Sequence, residues 1–99
     1  MAYKVTIMPV AQLDIWEIID WYEIQNEGVG IRFSEEVNRL LLKIAKSPTF
    51  YSYYKEDFRR AIVKNFPYLI IFKVIENEVF IISVMFGGRN PQLINLRIS

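Results

Sequence analysis

Residues 59–72 read RRAIVKNFPYLIIF, and the fold turns on how this stretch alternates. Up to Phe66 it reads as one strand. Arg60, Ile62 and Lys64 fall on one parity, and Arg59, Ala61 and Val63 on the other, so an extended chain presents Arg60 and Lys64 on a shared face that Arg59 does not join. After Pro67 the pattern changes. Leu69-Ile70-Ile71-Phe72 is apolar on both parities, which a strand tolerates only where both of its faces are at least partly covered. Residues 68–75 are therefore predicted as a central strand, following a strand over residues 59–66.

Working outward, Glu76-Asn77-Glu78 is a tight polar connection of the kind a hairpin needs. The following residues 79–86 contain Phe80-Ile81-Ile82, again apolar on both parities, and read as a second central strand. Gly87-Gly88-Arg89-Asn90-Pro91 ends the sheet. Upstream, the aromatic residues 50–54 read as a short strand. Ser47-Pro48 stops a helix, whose apolar positions Phe33, Val37, Leu40, Leu41 and Ile44 follow helical spacing. Residues 26–30, NEGVG, break the chain between this helix and an earlier one over residues 10–25. Pro9 suits the first turn of that earlier helix, while Met8 has no oxygen with which to cap it. Ala11, Ile15, Ile18, Ile19 and Tyr22 form its apolar face. Asp14, Glu17, Asp20 and Glu23 recur every third residue and read as a surface ridge winding around the other side, with Leu13, Trp16, Trp21 and Ile24 widening the apolar arc. Residues 3–7 alternate and read as a first strand. The order β-α-α-β-β-β is α+β: an antiparallel sheet with an N-terminal helical hairpin packed on one face, the first strand free to join beside a later one.

The chain of 99 residues reads as a single domain, residues 1–99. An apolar fraction of 53% excludes disorder and suits a chain with an apolar surface that a partner covers. The sequence contains neither cysteine nor histidine. That excludes disulfides, thiol nucleophiles, Cys/His zinc sites and any mechanism with a histidine base; no cofactor or metal is expected. The absence of disulfides, of a signal peptide and of an uncharged run longer than residues 79–88 points to a cytoplasmic protein. Net charge is only +1, yet it is unevenly spread: residues 1–36 carry a net −5 and residues 37–99 a net +6. Such a chain can turn a basic face to an anionic target, but on charge alone the commoner account is that each half simply has a solvated surface.

The order of elements and its local motifs resemble the RelE/ParE superfamily of toxins from type II toxin–antitoxin systems, over about residues 3–91. Residues 11–15, AQLDI, fit the start of that family's first helix, Asp20-Trp21-Tyr22 its aromatic end, Ile31-Arg32-Phe33 the opening of the second helix and Ser47-Pro48 its close. Residues 59–68, RRAIVKNFPY, and Arg89-Asn90-Pro91 are the strongest pieces, and Phe66-Pro67-Tyr68 is nearer the ParE-like, plasmid-stabilisation branch. The sequence departs from the family at Met8, where Ser or Thr is usual, and at Phe86, near where a histidine is common. It also has the apolar Tyr68-Leu69-Ile70 where RelE-type nucleases place a catalytic arginine.

The resemblance implies a toxin that inhibits a cellular machine, DNA gyrase in the ParE-like branch, by binding it. A cognate antitoxin would neutralise it by laying an amphipathic segment over an apolar groove and adding a strand to a sheet edge. The target-binding candidates are Arg59, Arg60, Lys64, Arg89 and Asn90. The alternative is a RelE-like, ribosome-dependent mRNA endonuclease, for which Lys55, Arg60 and Arg89 are the catalytic candidates, with a tyrosine such as Tyr54 beside them. A third reading is a non-toxic relic of the fold that still binds antitoxin. The partners implied are an antitoxin and either gyrase or the ribosome, with assembly as a homodimer or as a hetero-oligomer with the antitoxin, and no membrane. A plainer account of the basic cluster is a solvated sheet face paired with Glu56, Asp57 or Glu78. Tyr51, Tyr53, Tyr54, Phe50 and Phe58 are either a base-stacking platform or packed core, the latter being commoner for aromatic strands.

Overall fold

Strand β1, Lys4–Ile7, turns directly into helix α1, Pro9–Gln25. The computed structural model describes residues 2–87. Met8 stays extended (φ −68°, ψ 151°) and its side chain caps nothing, but its carbonyl accepts the Gln12 N–H at 3.0 Å. Gly28, at φ +90°, supplies the left-handed residue that reverses the chain into α2, Val29–Lys46. The new helix begins without a cap of its own. Glu23 provides one from α1: its two carboxylate oxygens accept the Gly28 and Ile31 amides, each at 3.1 Å, satisfying donors that a helix start leaves unpaired. Gly30 lets the helices meet. A Cβ there would lie 2.4 Å from the Ile19 carbonyl oxygen.

After α2 the chain forms a 3₁₀ turn, Pro48–Phe50, then β2 (Tyr53–Lys55), β3 (Phe58–Ile62), β4 (Tyr68–Ile75) and β5 (Glu78–Phe86). Residues 50–54 are thus part turn and part strand. β3 stops at Ile62 rather than Phe66 because the chain folds over: the Val63 amide closes on the Tyr68 carbonyl at 3.0 Å, Asn65 sits at φ +69° and Pro67 has no amide to donate.

The sheet order is β1-β5-β4-β3-β2. β2 to β5 pair antiparallel as expected. β1 lies parallel to β5, from Lys4 opposite Glu78 to Ile7 opposite Ile81, so the sheet is mixed and has four strands after the hairpin. A parallel pair requires a crossover, and here everything between β1 and β5 is that crossover.

Both central strands are buried on both faces. Ala61, Val63, Ile70, Phe72, Val79, Ile81 and Val84 join Ala11, Ile15, Phe33, Val37 and Ile44 of the helices in the main core. On the opposite face Leu69, Ile71 and Met85 form a second cluster with Tyr54 and Phe58 against it. The register slips once. Ile71 faces Ser83 but Phe72 faces Ile81, which leaves Ile82 as the extra residue of a bulge. Asp14 answers that irregularity. It is not part of a surface ridge; it is 8% exposed, and its Oδ2 accepts the Val84 N–H at 3.0 Å and the Ser83 hydroxyl at 3.1 Å. A bulge disturbs the ladder beneath α1, and a carboxylate on the inner face of that helix is what reaches it.

Candidate target-binding face

β3 supplies the centre of the site, and strand parity sorts its two arginines as their alternation implies. Arg59 points to the helix side. Its guanidinium donates to the Tyr51 carbonyl at 2.6 Å, the Thr49 carbonyl at 3.4 Å and the Tyr53 hydroxyl at 2.9 Å, and it stacks 4.1 Å from the Tyr53 ring. It holds the segment from the 3₁₀ turn to β2 against the sheet. Arg60 and Lys64 are exposed, and neither pairs with a carboxylate among the described residues. Two of the acids that could have neutralised them are engaged elsewhere: Asp57 meets Lys73 at 3.3 Å, and Glu78 accepts the Thr6 hydroxyl at 2.6 Å and lies 3.9 Å from Lys4.

Arg60 and Lys64 flank Ile62, which is 68% exposed. On one side of Ile62 a cleft of about 420 Å³ is walled by Phe50, Tyr51, Ser52 and Arg60. On the other, a cleft of about 200 Å³ lies between Lys64 and the α2 residues Glu36, Arg39 and Lys43. Arg39 is bound to Glu36 at 2.7 Å; Lys43 stands unpaired among the described residues. Arg39 and Lys43 belong to this face, and strand parity could not have found them. Their only sequence signal is the spacing of Glu36, Arg39 and Lys43 on the polar side of α2. The result is an exposed aliphatic centre with cations on both flanks, suited to an acidic or polyanionic surface.

The aromatic residues divide. Tyr51 packs edge-on to Phe72, ring centroids 5.8 Å apart, and Tyr54 and Phe58 cover the second cluster, so these three are core. Phe50 and Tyr53 remain exposed. Lys55, at the end of β2, is half-buried. Burial pushes the Tyr54 phenol up, with the Arg60 charge acting in the opposite sense. Arg89, Asn90 and Pro91 lie outside the described residues. Among the described residues no group of three or more Asp, Glu, His or Cys is placed to hold a metal, and no helix is long and apolar enough to cross a membrane.

Comparison with known proteins adds two findings. The family model described as the ParE toxin of the type II toxin–antitoxin system, parDE, matches residues 5–91. Among solved structures, a chain from the chromosomal ParDE TA system of P. aeruginosa is similar in fold, with a TM-score of 0.74 at 13% identity, over 84% of this chain and 94% of that one. No curated protein matches the sequence.

Proposed function

The chain belongs to the ParE toxin family of type II toxin–antitoxin systems, and from that premise we propose that it is the toxin of such a pair, acting in the cytoplasm by binding DNA gyrase and neutralised by a cognate antitoxin. The observation that carries the binding part is the cationic face around Ile62, where Arg60, Lys64 and Lys43 make no ion pair among the described residues. Arg59 contributes by fixing the neighbouring segment, and Arg89 and Asn90 extend the proposed contact beyond the described residues. Unpaired surface cations around an exposed apolar centre favour recognition of an acidic partner and hasten its encounter.

The test is to induce the chain alone and follow growth together with a DNA-damage reporter within minutes. Arrest with a strong reporter signal is expected. The double variant Arg60→Glu/Lys64→Glu should lose both while its circular dichroism stays that of the parent. Arrest without the signal, accompanied by ribosome-dependent mRNA cleavage that alanine at Lys55, Arg60 or Arg89 abolishes, would replace this reading with the endonuclease. Normal growth with soluble, folded protein present would leave only an antitoxin-binding relic.

A further inference from the structure

Strand β1 is an outer edge of the sheet, and its backbone groups divide by parity. The Lys4 amide donates to the Asn77 carbonyl at 3.2 Å and the Met8 amide to the Ile81 carbonyl at 3.0 Å. In a parallel ladder the even residues thus face β5, and Tyr3, Val5 and Ile7 turn their N–H and C=O groups the other way. The Tyr3 amide is taken by the Ala45 carbonyl at 2.7 Å. Val5 and Ile7 keep both groups outward, and no strand lies beyond them among the described residues. Such an edge is a template for another strand. The opposite edge is a poor one: β2 has three residues, and its register slips between Tyr53 and Lys55.

The two faces of β1 differ in chemistry. On the helix side, half-buried Tyr3, Val5 and Ile7 form one wall of a groove of about 500 Å³ whose other wall is Asn38, Leu41, Leu42 and Ala45 of α2. Leu42 is 73% exposed there. The other face carries Lys4 and Thr6. The Thr6 hydroxyl donates to Glu78 at 2.6 Å, which holds that carboxylate beside Thr6 and leaves it 3.9 Å from the Lys4 ammonium.

We infer that β1 pairs antiparallel with β1 of a second copy of this chain, about a two-fold axis at Val5, joining two five-stranded sheets into one. The two Val5 residues exchange both of their hydrogen bonds, and the Ile7 amide of each copy donates to the Tyr3 carbonyl of the other. The occupied Tyr3 amide is not needed. Charge selects this occupant. The register sets Lys4 of one copy beside Thr6 of the other, where the Glu78 carboxylate of that other copy is held. Two ion pairs therefore form across the axis, as a self-complementary contact requires. On the helix side Tyr3 stands against Ile7 and Val5 against Val5, so each groove gains an apolar wall from the second copy. This contact belongs to the chain alone and does not depend on the proposed target.

The experiment is sedimentation velocity of the full chain at low salt, from about 1 μM to about 1 mM. A monomer–dimer equilibrium is expected within that range, since a single short strand pair is a small contact. Lys4→Glu and Glu78→Lys each set like charges across the axis and should each weaken the dimer by about tenfold. An equimolar mixture of the two variants restores opposite charges between copies, though not within either chain, and should recover the parent's dimer. Val5→Pro removes only an outward amide, which an edge strand tolerates; it should abolish the dimer with circular dichroism unchanged. Hydrogen exchange at the Val5 and Ile7 amides should slow as concentration rises. A chain that stays monomeric at about 1 mM overturns the pairing. So does a dimer that survives Val5→Pro with exchange at Val5 and Ile7 independent of concentration, because its contact lies on another face. A mixture no more dimeric than either variant alone overturns the register.

Discussion

The carboxylate of Asp14 completes hydrogen bonding at the one place where the central strands fall out of register. Asp14→Ala would leave the Val84 amide and the Ser83 hydroxyl buried without that acceptor, and such a loss costs about 2–3 kcal/mol. Urea denaturation should show it, with Asp14→Asn losing less because one carbonyl oxygen remains. Glu23 makes a prediction of a different kind. Backbone hydrogen bonds, first from Gly28 and then from Ile31, hold its carboxyl below the usual 4.5. The folded state therefore releases this proton more readily than the unfolded one. The stabilisation is complete above the unfolded value and disappears as pH falls from there through the lower folded value. Glu23→Gln should lower stability at pH 7 and flatten the acid limb of the stability curve, which denaturation between pH 2 and 7 will check. Neither role was legible in the sequence. Both residues read as members of a surface ridge, since their partners are backbone groups that acquire positions only when the chain has folded.

Among the elements, the helical hairpin is held close by Gly30. Gly30→Ala would push a methyl into the Ile19 carbonyl, a backbone atom that cannot swing aside. The expected loss is about 1–3 kcal/mol by thermal or chemical denaturation. Gly28→Ala is the informative comparison: nothing lies within 4 Å of its Cβ position, so only the cost of φ +90° remains, about 1–2 kcal/mol. The helices themselves were plain in the sequence from apolar spacing and from the NEGVG and Ser47-Pro48 breaks. The burial of β4 and β5 on both faces was equally plain, because Leu69-Ile70-Ile71-Phe72 leaves neither parity polar. The parallel pairing of β1 was not, since an edge strand's partner leaves no trace in its own four residues. The bulge at Ile82 was hidden by an unbroken apolar run, and the early end of β3 by the continued alternation of Val63 and Lys64.

For the whole molecule, the sign and placement of charge set how it meets a target. An acidic helix α1 and a cationic β3–α2 face give the chain two surfaces of opposite character despite a net charge of +1. Attraction through Arg60, Lys64 and Lys43 should weaken as salt rises, the Debye length falling from about 10 Å at 0.1 M to about 3 Å at 1 M. On the proposed function, titrating gyrase with the chain at increasing salt should show a falling association rate, and Lys64→Glu should reduce that dependence. Half of this face was legible. Strand parity separated Arg60 from Arg59, but the approach of Arg39 and Lys43 to Ile62 depends on how α2 crosses the sheet, which no local pattern encodes.

The pairing of the first strand with the last also has a consequence in time. Lys4 cannot find Glu78, nor Asp14 the Val84 amide, until nearly the whole described chain has been made. At about 5–20 residues per second of synthesis, β1 waits roughly 4–15 s for β5. A chain interrupted at Asn77 has no strand on which β1 can lie and no amide for Asp14, and should show no cooperative unfolding. The nascent polypeptide therefore gains its finished sheet only near the end of its own translation.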